Sequence, residues 1–247
     1  MNEQLWINAI AFAGVAVGAF AGGAVGLGFP VVAVPALALG YGLETAVVVA
    51  SIPTFAIDLA NLHRTRHERP EKRDLVVFGV LAMAGTLIGA LVRGSLNERV
   101  LVAVLAAILS IFLALEVLPR IDLRRLVRAP GVAPIAGSTA GFLQSAVGVS
   151  GPVVGMYWLN RTETRTSFIF HITTAFCLMG PVRIVGLAAV GLFTAERLWI
   201  GVGFGALGVA LRTIGFNAGE RLDRDRFRKA VLLLMAVSLV PLLARTF

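Results

Sequence analysis

Charge is scarce in this sequence. Only 15% of its 247 residues are Asp, Glu, Lys or Arg, 57% are apolar, and mean hydropathy is +0.86. A soluble domain carries about a quarter charged residues, so too few polar side chains are available to cover a water-facing surface. That deficit excludes a soluble domain of this size. Cysteine is nearly absent: Cys177 stands alone, which excludes a disulfide within the chain, and its apolar segment suits a packing role. No Walker A pattern occurs, so ATP is not expected as an energy source. His63 and His67 have the i, i+4 spacing of a metal pair but lie in a loop crowded with arginine, where they read as solvated. No metal and no cofactor is expected. The opening "MNEQLW" has no basic region, so no signal peptide is expected.

What the chain has is apolar length. Runs near the ~20 residues that span a bilayer recur along it, near 5–28, 29–41, 44–62, 75–95, 98–119, 131–150, 151–160, 165–190, 197–216 and 227–246. The expected fold is an all-α polytopic membrane protein of about eight to ten transmembrane or re-entrant segments. The second and seventh runs are short, and each pairs with its predecessor as a re-entrant hairpin or as two thin helices. Trp6, Trp158 and Trp199 fall at segment ends, as interfacial aromatics do.

The two halves resemble each other. At an offset of 122, seven of thirteen positions are identical between 20–32 and 142–154, including Ala24-Val25-Gly26 with Ala146-Val147-Gly148 and Pro30-Val31-Val32 with Pro152-Val153-Val154. At an offset of 119, Glu44-Thr45 matches Glu163-Thr164, Arg64 matches Arg183 and Arg93 matches Arg212. Residues 1–120 and 121–247 therefore read as two membrane repeats. Seventeen of the 22 Lys and Arg residues lie in 63–74, 120–130, 161–165 and 212–229, which fall on one side if the segments alternate. Arg93, Arg99, Arg197 and Arg245 fall on the other, and Arg183 lies within a segment. The positive-inside rule places the richer side in the cytoplasm and the N-terminus outside. It also accounts for the net charge of +8 without a nucleic-acid partner. The second half then starts from the opposite face, an inverted repeat of the kind that places a transporter's binding site at the repeat interface.

Each half opens on a broken helix: "AVGLGFPVVA" at 24–33 and "AVGVSGPVVG" at 146–155. Proline belongs at a helix start, where its missing N–H costs nothing. Gly28, Phe29 and Pro30, with Ser150, Gly151 and Pro152, read as two helix starts whose amides suit an anion. The competing reading is close helix crossing, which uses the same small residues. The second break alone offers side-chain donors, Gln144, Ser145 and Ser150, where the first has Gly22, Gly23 and Gly28. Asymmetric ligation follows, with the second half making most side-chain contacts.

Ionisable groups inside apolar segments usually face an interior or a path. Asp58 and His171 are candidates for proton coupling. His171 and Thr174 can line a cavity, or the histidine can simply bond a backbone carbonyl within the bundle. Arg183 reads as a substrate clamp or as an anchor snorkelling to the outer surface. "GVSG" at 148–151 also has the form found around the nucleophile of rhomboid proteases, so a Ser150–His171 intramembrane serine protease is an alternative that requires hydrogen-bond reach between the two.

In size, duplication and segment layout, and in "GGAVGLGFPVVAVPAL" and "QSAVGVSGPVVGMYWL", the chain resembles the TauE/SafE family of sulfite-exporter-like permeases. It departs at Phe29 and Ser150, where that family usually has glycine. The resemblance implies a multi-pass permease of the cytoplasmic (inner) membrane, in contact with lipid, that carries a small anion such as sulfite or an organosulfonate. A passive anion channel is the alternative within the same site, and a homo-oligomer is compatible with either.

Overall fold

In a computed structural model, residues 2–68, 72–93, 123–223 and 225–233 are described, with isolated positions between 97 and 114 and residue 236. The described elements are all helical: α1 (Asn2–Val25), α2 (Phe29–Thr65), α3 (Lys72–Val92), α4 (Leu123–Val127), α5 (Val132–Ala146), α6 (Gly151–Leu159), α7 (Arg165–Ala189) and α8 (Ala195–Gly219). Residues 225–233 are helical as well. Among the described residues, five stretches are long and apolar enough to cross a membrane: Asn8–Val25, Glu44–Thr65, Arg73–Val92, Arg165–Ala189 and Ala195–Gly219. The chain is a polytopic helical membrane protein. The expected segment at 98–119 and most of that at 227–246 lie outside the described residues.

The two expected runs, 29–41 and 44–62, are two helical stretches that meet at a kink within α2. In α2 the backbone leaves helical geometry at Gly42 (φ 75°, ψ 157°), a conformation open to glycine, and resumes on the other side. The first part of α2 folds back along α1. A Cβ at Gly18 would lie 2.9 Å from the Phe29 carbonyl oxygen, and one at Gly22 3.5 Å from the Phe29 side chain. The first Gly/Pro pair is therefore a hairpin.

The helices pack in crossed pairs. The most extensive contacts join α3 to α5 and α1 to α8, and α2 packs on both α7 and α8. Glycine makes the first two seams close. Gly85, Gly89, Gly137 and Gly141 each face backbone across the α3–α5 seam, and Gly23, Gly215 and Gly219 do so across α1–α8. With little hydrophobic drive between helices in lipid, such close backbone approach is what dispersion and packing require. At the first break Gly23 serves the packing reading: its Cβ position meets Arg212 backbone rather than a cavity.

Candidate functional site

Both breaks turn on the same backbone device. Gly26 (φ 81°) and Gly148 (φ 86°), matched at the offset of 122, take the left-handed conformation that ends α1 and α5. A Cβ at Gly26 would press on Ile169 and Ile172 of α7, and one at Gly148 on Val47 of α2. Three residues later a new helix starts, with Pro30 in α2 and Pro152 in α6 at the first turn. Two other helices start with a side-chain cap: the hydroxyls of Thr164 and Thr194 accept from the backbone N–H groups of Ser167 and Arg197 at α7 and α8, whereas α5 starts at Gly131 without one. The starts at the breaks have no side-chain cap. The Phe29 and Val31 amides in one, and those of Gly151 and Val153 in the other, stand in the first turn, where α-helical partners are lacking. All of Gly28, Phe29, Pro30, Ser150, Gly151 and Pro152 are buried. The two starts meet directly, since Val31 Cγ2 lies 3.6 Å from where a Gly151 Cβ would be. An apolar side chain occupies the point of closest approach, and the polar groups lie to either side of it.

On one side is the end of α5. Ser150 Oγ donates to Gln144 Oε1 at 2.6 Å, a bond that closes the break on itself. Ser145 is fully buried and its Oγ has no partner among the described residues. Arg93, at the end of α3, donates to the Ser145 carbonyl oxygen at 2.8 Å. Arg183 donates Nη2 to the Val47 carbonyl oxygen at 2.8 Å and is 1% exposed. It is therefore enclosed and does not snorkel, which corrects the anchor reading.

On the other side is the end of α1, where sequence reasoning missed the main actors. Arg165 donates to the carbonyl oxygens of Ala24 (3.1 Å), Gly23 (3.3 Å) and Phe216 (3.1 Å). Asn61 Nδ2 donates to Gly22 O at 3.0 Å, while Arg212 donates to Asn61 Oδ1 at 3.0 Å. Arg64 and Arg165 both stack on the Phe216 ring. Cations at helix C-termini offset the negative end of the dipole, and here they fix the hairpin of α1 and α2 in place. Near this end a cavity of about 230 Å³ opens between α6, α7 and residues 225–228, lined by Glu163 and Asp225 as well as Arg165 and Arg228.

The remaining candidates separate. His171 is 1% exposed, its Nδ1 lies 2.7 Å from the Ser167 carbonyl oxygen, and its ring packs 4.5 Å from Trp158. Trp158 is itself fully buried, so it is not an interfacial aromatic, unlike Trp6 (70% exposed) and Trp199 (71%). The reason is the length of α6: a nine-residue helix that begins inside the bundle also ends there. Thr174 Oγ1 donates back to Phe170 O within its own helix. Asp58 is 5% exposed and its Oδ2 has no partner among the described residues. The Ser150 hydroxyl donates to Gln144 and His171 Nδ1 faces the Ser167 carbonyl oxygen of its own helix.

A helical membrane chain with two uncapped Pro-started helices matches one known description, sulfite exporter TauE/SafE, over residues 10–242. The chain belongs to the TauE/SafE family. The match spans nearly the whole chain, so both breaks lie inside it. No curated protein and no solved structure matches the chain. TauE/SafE membership makes this a membrane transporter, and the arrangement of the second break then bears on what a TauE/SafE protein of this sequence holds.

Proposed function

We propose that the chain is a secondary transporter that moves a small anion, sulfite or an organosulfonate, across the cytoplasmic membrane. The observation that carries this reading is the second break. There an uncapped helix start, the Ser150–Gln144 pair and an unpartnered Ser145 hydroxyl follow one another in the chain, the enclosed Arg183 is bonded to Val47, whose side chain lies beside Gly148, and no carboxylate among the described residues is bonded to that arginine. Donors and positive charge without an acceptor are the complement of an anion. The first break contributes backbone at Gly28, Phe29 and Pro30.

The crossed seams support the inverted repeat. The first helix of each half packs on a helix of the other half, α1 on α8 and α5 on α3, and each break is held by an arginine from elsewhere, Arg165 bonding Ala24 at the first and Arg93 bonding Ser145 at the second. With the arginine-rich loops in the cytoplasm, the N-terminus is outside, the α1 break lies toward the inner face and the α5 break toward the outer face. Asp58 and His171, both buried, are the candidates for coupling flux to protons. A passive channel would use the same residues, and flux that saturates and responds to a pH gradient separates the two.

Ser150→Ala tests the reading. Losing one hydrogen-bonding hydroxyl costs about 1 kcal/mol, so anion flux into proteoliposomes should fall about fivefold and remain measurable. Complete loss, together with cleavage of a membrane-embedded substrate by the wild type that the variant cannot perform, supports the serine protease instead.

A further inference from the structure

We propose that Gly151 and Val31 set the size of the anion this chain accepts. The missing side chain at 151 leaves a recess at the start of α6, and Val31 forms its wall. This assignment deepens the anion-transport reading and rests on it.

Packing does not account for this glycine. Glycine costs about 1 kcal/mol against alanine in a helix, and the seams show what offsets that cost. A Cβ at Gly23, Gly85, Gly141 or Gly215 would run into backbone of the helix opposite. Gly151 is also buried, yet a Cβ there would meet Val31 Cγ2 at 3.6 Å and, beyond its own helix and chain neighbours, no other described atom within 4 Å. That is an ordinary contact. Backbone conformation does not demand glycine either, since Gly151 is not among the glycines with positive φ. A following proline restricts the residue before it, but the matching place before Pro30 holds Phe29, so a side chain is accepted there.

The two breaks exchange large and small residues. At the offset of 122, Gly22 matches Gln144 and Phe29 matches Gly151. In the first break the Phe29 side chain lies over Gly22, 3.5 Å from where a Cβ there would be. In the second the long side chain belongs to α5, where Gln144 takes the Ser150 hydroxyl at 2.6 Å. Helix α2 therefore opens on a side chain and α6 opens on none.

Bare backbone at a helix start lets an anion approach the amides closely. The first backbone bond within α6 runs from Val154 N to the Ser150 carbonyl oxygen at 3.1 Å, so the Gly151 and Val153 amides have no partner inside the helix. Gln144, Ser145 and Ser150 are buried in the same break, and the Ser145 hydroxyl has no partner among the described residues. Val31 meets the recess with a methyl group, which offers no hydrogen bond. Polar recognition thus comes from the second break and the size limit from Val31. An oxoanion with a larger substituent has to displace Val31 Cγ2.

The test uses the full chain in proteoliposomes, with uptake of radiolabelled sulfite measured alone and against unlabelled ethanesulfonate. Gly151→Ala puts a methyl group in the recess and should raise the half-saturating sulfite concentration about tenfold, equivalent to about 1.4 kcal/mol. Its elution from a sizing column and its thermal stability should match the wild type. Val31→Ala enlarges the recess and should improve competition by ethanesulfonate about tenfold relative to sulfite. Val31→Ala added to Gly151→Ala should recover part of the lost sulfite affinity, because both changes act on one space and do not add. A folded Gly151→Ala protein with an unchanged half-saturating concentration overturns the recess and leaves the transport reading standing. A double variant no better than Gly151→Ala alone overturns the shared space. If Gly151→Ala does not fold, the Val31→Ala selectivity decides, and an unchanged ethanesulfonate-to-sulfite ratio overturns the assignment. A wild type that moves no sulfur oxoanion overturns the transport reading itself.

Discussion

Gly141→Val should leave no folded protein to purify. A Cβ at position 141 would run into the Ala82 carbonyl oxygen and lie 2.7 Å from Ala82 C and 2.8 Å from Thr86 N. All three are backbone atoms, so no rotamer change relieves the overlap and α3 and α5 must separate. Extra methylenes in a tight core cost about 1–3 kcal/mol when side chains can shift. Here the cost is larger, against a total stability of about 5–15 kcal/mol. Separation would also break the neighbouring contacts of Gly85 with Ser138 and of Gly137 with Phe78, because one seam carries all of them. The check is a detergent extract of a fluorescent fusion run on a sizing column. Gly141→Val should elute in the void, whereas Gly203→Val, with nothing within 4 Å of its Cβ, should elute as the wild type does.

Asp58→Asn should uncouple transport from the proton gradient while leaving the protein at least as thermostable. Asp58 is 5% exposed in a membrane-spanning helix, and its Oδ2 lacks a partner among the described residues. A buried carboxylate without compensation is costly, and residues of this kind in membrane helices are retained for function. The amide removes the charge at nearly constant shape. Downhill anion flux should persist, and stimulation by an imposed pH gradient should fall at least tenfold, about 1.4 kcal/mol of coupling. A loss of thermal stability with coupling intact would assign Asp58 a structural role instead.

Some of this was legible in the residues, and the reasons are physical. The breaks at 24–33 and 146–155 stand out because glycine and proline are expensive inside a helix and are therefore informative when they occur there. Local backbone chemistry is written in local sequence: Gly26, Gly148, Pro30 and Pro152 take the conformations their residue types favour. The arginine contacts are not local. Arg165 bonds carbonyls of Gly23 and Ala24 from over 140 positions away, and Arg93 reaches Ser145 from 52 away. A backbone carbonyl is present at every residue and leaves no mark in the sequence, so its partner cannot be read there. Trp158 departs from its expected place at an interface for a different reason. Position within a segment suggests depth in the membrane only when the segment spans it, and α6 does not.

The most direct measurement of the central claim is flux by the purified wild-type chain in proteoliposomes over sulfite, organosulfonates, sulfate and carboxylates, with and without a pH gradient. The account predicts saturable movement of at least one sulfur oxoanion, faster with an inward or outward pH gradient than without and absent from protein-free vesicles. Vesicles that hold the folded protein yet move none of these anions faster than empty ones would contradict it.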